Sequence, residues 1–271
     1  MSKNTPRILF IGAGRMAEAI FAGLIHNDES QKKNIIISNR SNEKKLEELE
    51  RRYGVEPTTK WQFAVSEADV ILLAMPPEAH PEVLAELSPL VNGQFVVTVA
   101  AGIGPTQLEE SLPAGTPTAW VMPNTAADIG ESISLYTYGK AVEDQHRQML
   151  ITILAAIGES QECTEEQIHE LTAITGSSPA FIYFVAENLE EAAMNYGLDR
   201  QQAKKLVTQM IYGAGAMLKN GGEAAELRQQ VTSPGGATAA GLEVLTEQRL
   251  PEILKEAVFA VNARAAEQAK S

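Results

Sequence analysis

The feature that most constrains the fold is an alternation in the first half of the chain. Short apolar runs at Ile8–Ile11, Asn34–Ser38, Val70–Ala74, Phe95–Ala100 and Thr118–Met122 are separated by amphipathic stretches at Met16–His26, Glu43–Tyr53, Ala79–Leu87 and Pro105–Ser111. A strand that is apolar throughout is buried on both faces, and such strands alternating with helices build a parallel sheet with helices above and below. Ser132–Tyr138 and Glu159–Cys163 add to that sheet, with a helix over Asp144–Ala156 between them. After Cys163 the pattern is helical only. Thr164–Gln167 and Asp199–Gln202 have capping-box spacing. Helices are expected over about 178–196, 199–220, 224–231, 237–248 and 251–268. They are rich in alanine and other small residues, a composition suited to packing against a partner chain.

The first strand runs into Gly12-Ala13-Gly14-Arg15-Met16-Ala17, a tight turn and a helix start. Gly12 permits the turn, Gly14 lets a pyrophosphate approach the backbone, and Ala17 is the third small position of a dinucleotide fingerprint. The expected fold class is therefore α/β. A Rossmann-like parallel-sheet domain spans 1–163 and an all-helical dimerisation domain spans 164–271. Cofactor choice is read at the end of the second strand, where a carboxylate selects NAD. Here the chain has Ser38-Asn39-Arg40-Ser41, with no carboxylate before Glu43. Arg40 and Ser41, beside Asn39, suit a 2′-phosphate, which favours NADP(H), with NAD(H) as the alternative. The same segment also reads as a solvated basic helix start. Ala74-Met75-Pro76, Ala100-Ala101-Gly102 and Asn124 follow later strands on the side where ligands bind in an open sheet. Each of these segments also reads as a plain turn.

Bulk properties exclude some partners. The 271 residues carry a formal net charge of −13, which disfavours nucleic acid and anionic membrane surfaces. One cysteine, Cys163, leaves no intramolecular disulfide and fits a reducing compartment. The polar Met1–Arg7 and the absence of a long apolar run lead us to expect a cytoplasmic protein. His26, His80, His146 and His169 are dispersed, so no metal site is expected.

Val231-Thr232-Ser233-Pro234-Gly235-Gly236-Ala237-Thr238 interrupts the helical half. A glycine turn feeding a helix start presents backbone N–H groups to a carboxylate or phosphate, though Gly and Pro also punctuate ordinary helix connections. No Lys or Arg occurs between Gln148 and Asp199, so the helix entering the second half lacks the lysine that many two-domain reductases use as an acid. That absence argues against a β-hydroxyacid-type dehydrogenase. It suits a substrate needing little acid help, such as a cyclic imine, whose nitrogen a single hydroxyl such as that of Thr238 could orient.

Together these segments resemble the pyrroline-5-carboxylate reductase family across essentially the whole chain. The resemblance rests on Gly12–Ala17, Ala100–Gly102, Met122-Pro123-Asn124-Thr125, Thr175-Gly176-Ser177-Ser178-Pro179-Ala180-Phe181 and Val231–Thr238. It implies reduction of 1-pyrroline-5-carboxylate to L-proline, the last step of proline biosynthesis, in a homodimer or a larger ring of dimers. It also implies that backbone groups of the Gly-Gly-Ala-Thr turn hold the substrate carboxylate and that Thr238 reaches the ring nitrogen. Val231, Ser233, Gly236 and Ala237 would surround it, Thr175–Phe181 would border the pocket, and in the family that pocket draws on both chains. The chain departs from the family pattern at Pro76 (usually Lys), Trp120 (usually Arg), Ala126 (usually Pro), Ser178 (usually Gly) and Glu223-Ala224 (often His-Pro). The alternatives are a homologue acting on another cyclic imine, or a weakly active or regulatory NADP-binding paralogue.

Overall fold

The structure is a computed structural model that describes residues 5–268, so Met1–Asn4 of the polar leader lie outside the described residues. Packing divides the chain into two compact units between Gly176 and Ser177.

The first unit is an eight-stranded sheet. Its strands are β1 (Ile8–Ile11), β2 (Ile35–Ser38), β3 (Glu56–Thr58), β4 (Val70–Leu73), β5 (Phe95–Thr98), β6 (Thr118–Met122), β7 (Ser132–Tyr138) and β8 (Gly158–Glu162), in the order β3-β2-β1-β4-β5-β6-β7-β8. All neighbours are parallel except β6 and β7, which pair antiparallel. The expectation of an all-parallel sheet thus holds up to β6 and reverses at β7. The return from β6 is only a short 3-10 turn, Thr125–Ile129, and a parallel neighbour needs a longer crossover. The helices are α1 (Arg15–Asn27), α2 (Glu43–Tyr53), α3 (His80–Leu87), α4 (Pro105–Ser111), α5 (Asp144–Ala155) and α6 (Glu165–Thr172).

Period-two alternation sends successive strand residues to opposite faces. Ile8, Phe10, Ile35, Ile37, Val70 and Leu72 pack with Ile20, Phe21 and Leu24 of α1 and Leu150 and Ile153 of α5. Leu9, Ile11, Ile36, Ile71 and Leu73 pack with Leu84 and Leu87 of α3 and Leu108 of α4. The short β3 contains Pro57 and lies at the sheet edge, where a missing N–H is tolerated. α6 packs with this unit because Ile168 buries against Trp120 and Leu135. A π-helical turn, Ala173–Ser177, follows it directly.

The second unit contains α7 (Ser178–Asn195), α8 (Arg200–Lys219), α9 (Ala224–Gln230), α10 (Ala237–Glu247) and α11 (Leu250–Gln268). The predicted capping box at Asp199 is present, Asp199 accepting from the Gln202 N–H and Gln202 reaching back. The apolar side chains of these helices are largely uncovered within one chain. Phe184 is 66% exposed and Phe259 71% exposed, with Ile182, Tyr183, Met210, Tyr212 and Val244 also open.

Candidate functional site

The strand order reverses between β1 and β4, the place where open α/β sheets bind ligands beyond the carboxyl ends of their strands. A cleft of about 460 Å³ opens there. It gathers Gly12, Ala13 and Gly14 after β1, Asn39 and Arg40 after β2, and Ala74, Met75 and Pro76 after β4. Thr59, Trp61, Gln62, Ala79, Glu82, Val83 and Glu86 also line it. None of these last residues stands in a glycine or strand-end motif, so motif reading passes over them. The available signal is the spacing of Glu82 and Glu86, which puts two carboxylates on one face of a helix.

Two glycines shape the cleft in different ways. Gly12 has φ +106°, and a Cβ there would lie 2.7 Å from both the carbonyl carbon and oxygen of Ala74. Its N–H donates to the Ser38 carbonyl at 3.1 Å, so the turn is fixed on both sides. Gly14 caps α1 without a side chain, and a Cβ there would meet no heavy atom within 4 Å. An open helix N-terminus of this kind takes an anion. The acidic residue of the first turn, Glu18, stays ionised, and its charge is compensated by ion pairs with Lys45 and Arg52. Burial would push its carboxyl up, but hydrogen bonds from Lys45 at 2.9 Å and Tyr53 at 3.0 Å, with the charges of Lys45 and Arg52, hold it below its ordinary value. This geometry, a cradle that a Cβ would fill beneath an uncapped helix start, fits the pyrophosphate of a dinucleotide.

The remaining residues of the sequence-predicted set take supporting places. Ala17 is fully buried against the sheet, as the third small position of the fingerprint requires. Met16 packs partly buried on the same core. Arg15 is paired with Asp128 at 2.6 Å. Asn39 Oδ1 accepts from the N–H groups of Ser41 and Asn42, at 3.1 and 3.0 Å, and so shapes the loop that carries Arg40. Ser41, Ala100, Ala101, Gly102 and Asn124 do not line the cleft.

Two of the family departures have a structural account. Trp120, 1% exposed, donates from Nε1 to the Ala100 carbonyl at 2.8 Å and packs its ring 4.8 Å from that of His169. It pins the Ala100–Gly102 loop to β6 and α6. Asn124 donates from Nδ2 to the Thr175 carbonyl at 3.0 Å and accepts at Oδ1 from the Ala126 N–H at 3.0 Å. The second bond requires an N–H that a proline at 126 would lack.

A buried histidine joins the loop after β4 to the end of β5. His80 is 0% exposed, with Nδ1 3.2 Å from the Pro76 carbonyl and Nε2 3.0 Å from Thr98 Oγ1. The carbonyl only accepts, so Nδ1 carries the proton, Nε2 accepts from the Thr98 hydroxyl, and Thr98 Oγ1 accepts from the Ala100 N–H at 3.2 Å. Burial pushes the His80 pKa below its ordinary 6.5, against the smaller pull of the Pro76 and Pro77 carbonyls and Glu78. A depressed folded-state pKa means the fold favours the neutral ring. Its contribution is complete above pH 6.5 and is lost as pH falls from 6.5 through the folded value. His146, also lowered by burial, acts in the same direction. We predict that urea midpoints fall between pH 7.5 and pH 5.5, chosen as about one unit either side of the free imidazole value. His80→Gln should flatten part of that fall; an unchanged slope in the variant would remove His80 from the account.

In the second unit, the segment singled out by sequence forms a turn. The Gly236 N–H donates to the Ser233 carbonyl at 2.9 Å. Pro234 and Gly235, whose φ is +69°, occupy the two central positions with the residue preferences of a type II turn. A Cβ on Gly236 would collide with the Ser233 hydroxyl. Gly236 caps α10 without a side chain, and Thr238 sits in the first helical turn, exposed with Val231, Ser233 and Ala237. A hollow of about 790 Å³ lies between α9 and α10, with Arg228 and Glu243 among its lining. Of the predicted substrate residues it includes Gly236 alone. Among the described residues, no cluster of three or more His, Cys, Asp or Glu could hold a metal, and no helix is long and apolar enough to cross a membrane.

Comparisons with known proteins match the two parts of the chain to two different family models. Residues 165–268 match the family model described as pyrroline-5-carboxylate reductase dimerisation, and residues 7–102 match that described as NADP oxidoreductase coenzyme F420-dependent. The pyrroline-5-carboxylate reductase of Corynebacterium melassecola is 39% identical over 245 residues, covering 89% of this chain and 90% of its own. The structure of a pyrroline-5-carboxylate reductase from Coxiella burnetii superposes with a TM-score of 0.90 at 32% identity, covering 97% of this chain and 98% of that one. The Plasmodium falciparum pyrroline carboxylate reductase, solved with NADP bound, has a TM-score of 0.86 at 26% identity with the same coverage. With identities above 30% over nearly its full length, the chain belongs to the pyrroline-5-carboxylate reductase family.

Proposed function

We propose that this protein reduces 1-pyrroline-5-carboxylate to L-proline with a nicotinamide dinucleotide, NADPH in preference to NADH. The observation that carries the reading is the presence in one chain of two separate devices. One is a glycine-cradled cleft with Arg40 at its rim, and the other is an uncapped α10 start displaying Gly236-Ala237-Thr238. The cofactor, when bound, supplies a hydride to the C5 carbon of the ring. Gly12 and Gly14 admit the pyrophosphate, and the start of α1 balances its charge. Arg40, with Ser41, is the proposed partner of the 2′-phosphate; the NADP bound to the Plasmodium falciparum relative supports this choice. Ala74, Met75 and Pro76, with Ala100–Gly102 and Asn124, are the proposed frame for the nicotinamide end.

On the substrate side, N–H groups at the start of α10 would hold the carboxylate. The Thr238 hydroxyl would fix the ring nitrogen, with Val231, Ser233, Gly236 and Ala237 around it. The imine nitrogen takes up its proton readily near neutral pH, so α7 works without a lysine. The exposed apolar side chains of α7, α8, α10 and α11, within the stretch matched by the dimerisation model, support a homodimer as the working unit. Light scattering would separate a dimer from a ring of dimers.

The direct test is to incubate the protein with NADPH and 1-pyrroline-5-carboxylate and to measure cofactor oxidation and proline. Stoichiometric proline is the expected result. Intact NADPH binding without proline would overturn the assignment.

A further inference from the structure

The cofactor cleft contains its own competitor for the 2′-phosphate. Among its lining residues Arg40 is the one cation, and Glu82 and Glu86 are the carboxylates. Arg40 Nη1 donates to Glu82 Oε2 at 2.8 Å. Glu86 Oε2 accepts from Gln62 Nε2 at 2.8 Å. The two acids stand one turn apart on α3, which is anchored by buried Leu84 and Leu87. Their place beside Arg40 is therefore set by the packing of α3 and not only by the reach of flexible side chains.

We propose that Glu82 is a specificity-determining residue, which by engaging Arg40 weakens the preference for NADPH over NADH. The inference rests on the reading of Arg40 as the 2′-phosphate partner. A 2′-phosphate brings up to two negative charges. It must draw Arg40 away from Glu82 and then lie near two carboxylates. A ribose with a free 2′-hydroxyl meets no such opposition, and it can donate to the Glu82 carboxylate in the way a carboxylate at this end of a cleft holds NAD. The side chains of Arg40 and Glu82 are 82% and 54% exposed, so water and salt weaken the pair. An exposed pair of this kind shifts an equilibrium by about two- to fivefold.

The test is calorimetric titration of the full chain with NADP⁺ and NAD⁺, comparing the unmodified protein with Glu82→Gln and Arg40→Met. Glu82→Gln should lower the Kd for NADP⁺ by about two- to fivefold, leave that for NAD⁺ unchanged or higher, and so raise the ratio of the two affinities. A ratio that stays constant or moves toward NAD⁺ overturns the inference. Arg40→Met separates the two levels of the argument. If it erases the NADP⁺ preference while Glu82→Gln changes nothing, Arg40 keeps its role and Glu82 loses the one proposed here. If Arg40→Met leaves the ratio untouched, the reading of Arg40 fails and the inference fails with it.

Discussion

Gly12→Ala is expected to damage both the fold and cofactor binding, whereas Gly14→Ala damages binding alone. The difference lies in the surroundings of the two glycines. At Gly12 a methyl group would be forced 2.7 Å from the Ala74 carbonyl, on a backbone at φ +106° that side chains rarely adopt. Left-handed strain costs about 1–3 kcal/mol and overpacking a further 1–3 kcal/mol. The sum is a large part of the roughly 5–15 kcal/mol that holds a domain together. The Ala74–Met75 segment can relieve the collision only by moving away, and that segment forms a wall of the cleft. At Gly14 the backbone is ordinary, with φ −78°, and the added methyl meets nothing in the protein. On the proposed reading of this turn, the methyl group occupies space that the pyrophosphate needs. Urea unfolding and titration with NADP⁺ check the pair. Equal urea midpoints for the two variants would contradict this account of the turn.

Thr238→Ala is expected to lower kcat about 100-fold, the loss usual when one hydrogen-bonding group that positions the reacting atoms is removed, while the Kd for NADP⁺ stays within about twofold. The substitution leaves the helix intact. Gly236, not Thr238, is the cap of α10, and alanine is the better helix former inside the first turn. A fall in rate therefore reports the hydroxyl itself. Thr238→Ser, which keeps the oxygen, should restore most of the rate. If serine and alanine are equally slow, or if cofactor affinity falls in step with rate, the hydroxyl is not what orients the imine.

The sequence made some of this legible and left other parts obscure, for identifiable reasons. β1, β2, β4, β5 and β6 were readable because each is buried on both faces and so is mostly apolar, with a single Ser or Thr at one end of β2, β5 and β6. The direction of β7 was not, because an apolar run has no polarity of its own. β3 was missed because three residues with an exposed glutamate and a proline carry no strand signal. The π-helical turn at Ala173–Ser177 lies at the junction before the helix expected from 178, where side-chain pattern does not reveal a change in backbone bonding, and the hydrogen bond from Asn124 that meets it spans 51 positions. At the cleft, motif residues could be named because glycine at a turn has a backbone cause. Glu82 could not, since its importance comes from α3 bringing it to Arg40 across 42 positions. His80 reads in the sequence as one of four dispersed histidines, because its ring-nitrogen bonds to Pro76 and Thr98 arise only from the packing of α3 against β5.

The uncovered apolar side chains of the C-terminal helices have a consequence for how stability is to be understood. Among the described residues of the second unit, Ala203 and Val207 are the buried apolar ones, whereas Phe184, Tyr212 and Phe259 lie open. A unit of that kind obtains its core from association, so its free energy of unfolding contains the logarithm of protein concentration. Dilution then acts on it as a mild denaturant. Any change that weakens the association lowers the abundance of the folded α10 start that displays Thr238, even where no residue of either site has been touched.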